Sequence, residues 1–304
     1  MTALRVTTQL LVDRSVRNIN NQTNRLLTLQ EQLATGLRVN RPSDDPIDAR
    51  RAVSIRSLIG KNEQYLANIS MVNSPVAETN TSIETILSSF NRAWELTLRG
   101  ANGTNAQSQL DALALEIDQI LEGIFSTANH ETNGRYLFGG TRTTAPPYEA
   151  VRNAEGEITA VNFVGNTEAV RVAISDVLDL QYNETGPDVF SETQDIFQTL
   201  IDVRDNLRAG DTGALGSVRL EEMETVRVQL TSALARVGSI QNRLDRSVEE
   251  FEEFTFQLQT QLSDAIDADY AEVITELNAQ TNAFQAALSA AARAILPSLL
   301  DYVD

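Results

Sequence analysis

The chain has no cysteine and a single histidine, His130, among its 304 residues. Cysteine nucleophiles, cysteine-rich zinc sites and any Ser-His-Asp triad not built on His130 are therefore excluded. A disulfide framework is excluded as well, although the lack of thiols does not fix the compartment, because exported bacterial proteins are often free of cysteine. Basic residues are scarce: 24 Lys and Arg stand against 42 Asp and Glu, for a formal charge of −18. Such a balance repels nucleic acid and anionic lipid unless a local basic patch dominates, and the sequence contains none. No run of about 18 uncharged apolar residues occurs, and the N-terminal MTALRVTTQLLV lacks a basic region followed by an apolar one. The expectation is a chain that is neither membrane-spanning nor Sec-exported, with no nucleic-acid and no membrane partner. GxGxxG and GK[ST] strings are missing too, so no phosphate loop is expected.

What is present is helical periodicity. Val12, Val16, Ile19, Thr23, Leu26, Gln30, Leu33 and Leu37 step alternately by four and three, the stripe of a coiled-coil-like helix. The helix is predicted to end near Gly36, because LRVNRPSDDP brings two prolines. A hinge or spoke is expected there, with Pro42 inside it, Asp45 as N-cap and Pro46 as the first residue of a second helix. That helix is predicted to stop near Asn73, a third to run from Pro75 to Gly100 with Trp94 in the core, and a fourth from about Ala106 to Asn129.

Helix then gives way to turn and strand residues. Ile158 to Val164 and Ala169 to Ile174 are rich in β-branched residues and separated by Gly165, Asn166 and Thr167, which predicts a hairpin; another strand is expected at Leu178 to Tyr182. So small an insertion buries little surface and must lean on the helical part or on a neighbouring subunit. Helix returns at about Ser191 to Arg208 and from about Leu215 to Ala265. In the latter, Leu230, Leu234, Val237, Gln241, Leu244, Val248, Phe251, Thr255, Leu258, Leu262 and Ala265 keep the four-three alternation. At 1.5 Å per residue this run is on the order of 75 Å long, too long for a compact globule of this size. A last stripe, Tyr270, Ile274, Leu277, Thr281, Phe284, Leu288, Ala291 and Ile295, is out of phase with it.

The expected fold is thus mainly α with a small β insertion, in an elongated architecture of long coiled-coil-like helices formed by both terminal regions. The expected organisation is nested: residues 1–40 pair with 266–304, residues 41–140 and 191–265 form a helical rod, and residues 141–190 form the β insertion. Charge supports the pairing of the ends. Residues 1–60 hold nine Arg against five acidic residues, and residues 245–304 hold two Arg against twelve. Solvated charged faces would give the same counts, and surface pairs contribute only about 0 to 1 kcal/mol each.

Chemistry-bearing clusters have simpler readings. Asp44, Asp45 and Asp48 could share a hard cation, but capping explains them better. Asp264, Asp267 and Asp269 lack a glycine-bearing loop of calcium-binding spacing. Glu249, Glu250, Glu252 and Glu253 fan around a helix instead of flanking a cleft, while Phe251 and Phe254 are expected to face the seam. His130 sits at a helix end, where it can act in capping, and Gly139-Gly140 reads as a turn. No catalytic residue, metal or cofactor is expected.

Several strings in order resemble the flagellin-like family. EQLATGLRVNRPSDDPIDA (residues 31–49) resembles the exit from the family's N-terminal helix, and RPSDDP in place of a KDDAAG-like string is similar to its hook-associated branch. KNEQYLANI (61–69), LRGANGT (98–104), NGRYLFGGTRTTAPPY (133–148), GPDVF (186–190), DAIDADYAEVITEL (264–277) and ILPSLLDYV (295–303) continue the resemblance. It implies a non-enzymatic structural subunit of the extracellular bacterial flagellum, exported through the flagellar type III channel without a cleaved signal peptide. It also implies assembly beneath the distal cap into a ring of identical copies at the hook-filament junction. The implied partners are hook-associated protein 1 on the hook side, flagellin on the filament side, and an export chaperone that binds the C-terminal region. The self-assembly and chaperone interface would use Val12, Val16, Ile19, Leu26 and Leu33 with Leu277, Phe284, Leu288, Ile295, Leu299 and Leu300; Pro42, Asp45 and Pro46 would form the spoke. A filament flagellin is the nearest alternative and a long-helix signalling protein a more distant one.

Overall fold

The computed structural model describes the backbone of residues 2–295 and the side chains of residue 10 and residues 12–292. The chain divides into two units, Met1–Lys61 with Glu253–Asp304, and Asn62–Glu252. Its long helices are α1 (Thr2–Thr35), α2 (Pro46–Gly100), α3 (Gln107–Ala128), α7 (Leu220–Ile266) and α8 (Tyr270–Ile295). Between α3 and α7 lie β1 (Glu131–Thr132), β2 (Arg135–Tyr136), β3 (Tyr148–Arg152), β4 (Ile158–Phe163), β5 (Arg171–Ser175), β6 (Leu178–Gln181), α4 (Gly186–Phe190), α5 (Ile196–Ala209) and α6 (Thr212–Ala214). A π-helical turn, Leu215–Arg219, leads into α7. Among the described residues, no helix is long and apolar enough to cross a membrane.

In the Asn62–Glu252 unit, α2, α3, α5 and α7 share one core whose fully buried members include Ile83, Phe90, Ile117, Leu121 and Leu200. α5 is set at both ends: the Asp195 carboxylate accepts from the amides of Phe197 at 2.8 Å and Gln198 at 3.0 Å, and Gly210 closes the helix in the left-handed conformation. Trp94 is only partly buried and carries Arg227 5.5 Å from its ring centroid, so it edges the core instead of filling it.

Three hairpins pair β1 with β2, β3 with β4 and β5 with β6, all antiparallel. The strands at 158–163 and 171–175 are therefore not partners of one another, as their spacing had suggested. β4 turns back instead on β3, a strand the sequence reading missed because Pro146 and Pro147 precede it and its burial pattern barely alternates. β3 is held at its start by Asn129, the C-cap of α3, whose side chain donates to the Tyr148 carbonyl and accepts from the Tyr148 amide, both at 3.0 Å. The insertion leans on the helices: Tyr148, Ile158, Ile174 and Leu180 belong to the helical core. Arg204, itself buried, donates to the Ile158 carbonyl and the Asp118 carboxylate at 2.8 Å each.

Two strings of the family resemblance meet here. Phe138 and Phe190 lie edge to face at 5.1 Å, and Tyr148 and Phe197 complete the aromatic cluster. Gly186 is needed for that closure, because a Cβ there would stand 2.6 Å from the Tyr148 hydroxyl and 2.7 Å from the Phe163 ring.

Pro75 does not end a helix. α2 runs through it, so three long helices precede residue 130, not four. Burial of Ile69, Val72, Val76 and Ile83 on both sides of the proline holds the helix together despite the lost hydrogen bond. The helix expected from Ser191 begins instead at Ile196 as α5, behind the separate short helix α4, and the Gln229 side chain accepts from the amides of Thr193 and Gln194 in the gap between them.

In the other unit, α1 packs antiparallel on α8, as their joining strand bridge and the Gln22–Gln280 contact require. All eleven predicted seam positions of α7 are buried or half-buried. Phe251 faces the seam, but Phe254 is exposed, because a residue three positions on from the seam has rotated to its flank.

Candidate functional site

The spoke is built from residues 36–45 and 266–269. Gly36 ends α1 with φ +73°, a left-handed conformation that favours glycine, and the Tyr270 hydroxyl lies 2.7 Å from where a Cβ would stand. Its carbonyl accepts from the Ala268 amide at 2.9 Å, and the Arg38 amide donates to the Ile266 carbonyl at 2.7 Å. Leu37 and Asp267 thus form a bridge that staples the exit of α1 to the end of α7. Val39, Ala52, Ala265 and Ile266 form the small core beneath it.

The predicted cap is in place. The Asp45 carboxylate accepts from the amides of Ile47 at 3.0 Å and Asp48 at 3.1 Å, and Pro46 is the first residue of α2. Those two amides, with Arg38 beside them, hold the Asp45 carboxyl below its ordinary range. Pro42 lies exposed in the turn that the Asp44 carboxylate ties to the amides of Asn40 and Arg41. Asp269 caps α8 by accepting from the Ala271 amide at 2.8 Å, a role the sequence reading did not assign although an Asp immediately before a periodic run signals it. His130 lies 3.8 Å from Glu78 at the surface. Among the described residues, no group of three or more His, Asp or Glu is placed to hold a metal.

The α1–α8 seam departs from the predicted stripes at five positions, and the other predicted members with described side chains, Thr23 and Thr281 included, are buried or half-buried. On α1 the buried and half-buried line is Val12, Ser15, Ile19, Gln22, Leu26, Leu29 and Leu33; Val16 and Gln30 are exposed. On α8 it is Val273, Leu277, Gln280, Phe284, Ala287 and Ala291, whereas Tyr270, Ile274 and Leu288 are exposed. Both helices carry an apolar arc wider than one seam, and the four-three rule drew a line across it. Of the residues expected at the interface, Val12, Ile19, Leu26, Leu33, Leu277 and Phe284 lie on the seam, and Val16 and Leu288 on an outer flank. Ile295 ends α8 and its side chain lies outside the described residues, as do Leu299 and Leu300 altogether. The opposite charges of the two ends do not meet within this layer, since no ion pair between α1 and α8 occurs among the described residues.

Comparison with known proteins matches this architecture. Residues 6–143 match the bacterial flagellin N-terminal helical region and residues 220–303 the bacterial flagellin C-terminal helical region. The chain is 24% identical to flagellar hook-associated protein 3 of Escherichia coli K12 across 94% of its own length and 96% of that protein. It is 26% identical to flagellar hook-associated protein 3 of Salmonella typhimurium across 62% of its length, spanning 57% of that protein. A flagellin of Salmonella muenchen is 31% identical, but across 42% of this chain and 24% of the flagellin. The fold is shared with the crystal structure of Bacillus cereus FlgL (TM-score 0.58, 24% identity, 69% of this chain and 99% of that one). It is shared as well with the flagellar junction protein FlgL of Legionella pneumophila (TM-score 0.54, 14% identity, 73% of this chain and 99% of that one). With its two helical ends both of flagellin type and nearly its whole length aligned with a hook-associated protein, the chain belongs to the flagellin-like family of flagellar hook-associated structural proteins.

Proposed function

We infer that the chain is the structural subunit of the hook-filament junction, set in a bacterial flagellum outside the cell. One observation carries this reading: the alignment with a hook-associated protein 3 takes in 94% of this chain and 96% of that protein, whereas the alignment with the flagellin takes in 42% of this chain and 24% of the flagellin. A subunit of this kind works by geometry. Identical copies close a ring through their terminal helices, one side of the ring receives hook-associated protein 1, and the other receives the first flagellin beneath the distal cap. Export through the flagellar type III channel without a cleaved signal peptide fits a chain whose terminal helices are themselves the assembly elements.

An export chaperone fits the same scheme. Phe284 and Leu277 are half-buried against α1, so a chaperone groove that takes this face of α8 must displace α1. Chaperone binding and the α1–α8 pairing are then mutually exclusive, which keeps the layer from closing before export. Phe284→Asp places a charge on the shared face while leaving the Asn62–Glu252 core untouched. We expect weaker chaperone binding by calorimetry, filaments lost from cells, and an unchanged main melting transition. Normal chaperone affinity with lost filaments would limit this face to assembly, and normal behaviour in both would remove it from the interface.

A further inference from the structure

Pro75 and the β1–β2 hairpin frame a cleft of about 350 Å³ in the Asn62–Glu252 unit. On α2 it is lined by Met71, Ser74, Pro75 and Thr79, which share one helical face, and on the hairpin by Thr132 and Arg135 among others. Those two stand directly opposite each other across the hairpin, so their side chains lie on the same face. The turn that sets them there is left-handed at both residues, with φ of 52° at Asn133 and 77° at Gly134. Backbone bonds fix the other walls: the Tyr136 amide donates to the Thr143 carbonyl at 2.9 Å, and the Asn183 side chain, next to Tyr182, accepts from the Val170 amide at 2.7 Å. The cleft is thus formed before any ligand arrives.

Its polar groups lack partners. The Thr132 hydroxyl is buried with no hydrogen bond among the described residues, and Pro75 deprives the Met71 carbonyl of its helical donor. Among the described residues, Arg135 makes no ion pair, and the hydroxyls of Ser74, Tyr136, Thr143 and Tyr182 make no hydrogen bond. Arg135 is the one charged side chain of the lining, which holds no carboxylate although the chain as a whole is acidic. Six of the fourteen lining residues carry a hydroxyl. We propose that the cleft binds a sugar acid, a small carboxylate rich in hydroxyls. Arg135 takes the carboxylate, the one ligand group that matches a lone guanidinium. The ligand hydroxyls answer the orphaned Thr132 hydroxyl and the Met71 carbonyl, while Pro75, Leu137 and Val170 offer apolar surface to the C–H face of its ring. A fatty or aromatic acid would satisfy Arg135 and leave the hydroxyl groups unpaired, and a neutral sugar would do the reverse. Every residue involved belongs to the Asn62–Glu252 unit, so the proposal stands apart from the assembly of the terminal helices.

The test titrates the whole chain with sodium D-glucuronate, followed by saturation-transfer NMR and calorimetry, with D-glucose and sodium hexanoate as comparisons. The expected dissociation constant is on the order of 1 mM, in keeping with a ligand of this size. Glucose, which lacks the carboxylate, and hexanoate, which lacks the hydroxyls, should each bind at least about tenfold more weakly. Arg135→Gln should weaken glucuronate about tenfold and Thr132→Val severalfold. Neither should lower the melting temperature of the ligand-free chain, because neither side chain has a partner to lose. Methyl β-D-glucuronoside separates the two sources of such a group: its binding assigns the site to the end of a glycan and its failure to bind to the free acid, and both uphold the proposal. No binding of glucuronate or its glycoside up to about 20 mM overturns it. So does glucose or hexanoate binding as tightly as glucuronate, or glucuronate binding that Arg135→Gln and Thr132→Val both leave unchanged.

Discussion

At the scale of single residues, the structure spends polar groups on fastening the β insertion to the helices. Arg208 and the Asn153 amide pull the Glu157 carboxyl down to about 2, well below the ordinary carboxylate range. A depressed folded value adds stability that is complete above the unfolded value and disappears as pH falls through the folded one. Glu157→Gln should therefore melt below the parent near neutral pH, and the two melting temperatures should converge as the pH approaches about 2. A constant gap across the acid range would mean that the Arg208 pair does not stabilise the fold. Glu184 and Asp195 behave oppositely, since burial raises both, and protonation of either favours the folded chain. The Tyr148 hydroxyl is buried without a hydrogen-bond partner among the described residues, and burial pushes its phenol upward. Tyr148→Phe keeps the ring in its cluster and removes the unpaired group, so thermal unfolding should show a gain of about 1 kcal/mol. A loss of that size would reveal a partner for the hydroxyl.

At the scale of elements, what was legible in the sequence is what local physics decides. The Asp45-Pro46 start of α2 and the Gly36 end of α1 follow from capping and from the left-handed conformation, which a few adjacent residues determine. The α7 seam was legible because many turns repeat it. Features set by tertiary contact were not. The partner of β4 was chosen by Asn129 holding Tyr148 and not by the short turn at Gly165, and Pro75 stayed helical because core residues flank it on both sides. At the candidate interface, the α1–α8 seam and the outer flank that carries Val16 and Leu288 are both apolar and were drawn as one stripe, so these two were legible as contact residues but not as members of the flank. Pro75 itself gives an element-level prediction. It leaves the Met71 carbonyl without its helical donor, so Pro75→Ala should stabilise the chain, by at most about 3 kcal/mol. Destabilisation in a thermal melt would show that α2 uses the proline to fit its neighbours.

At the scale of the whole molecule, the two units divide the labour. The Asn62–Glu252 unit holds its own aromatic and aliphatic core, into which the small insertion is absorbed. The other unit relies on a thin helical layer, whose most buried seam residues among those described, Leu29, Val273 and Ala291, are still 9%, 7% and 9% exposed. A layer of that kind gains burial from neighbours, which is the physical sense of a subunit whose ends build an axial structure. The acidic balance of the chain, −18, opposes indiscriminate association and leaves specific faces to direct contact. The central claim is a position: this chain sits between hook and filament as a junction and does not build the filament itself. Immunogold labelling of intact flagella with antibody against the chain tests it most directly. The account predicts a single labelled band at the hook-filament boundary; labelling along the length of the filament would contradict it.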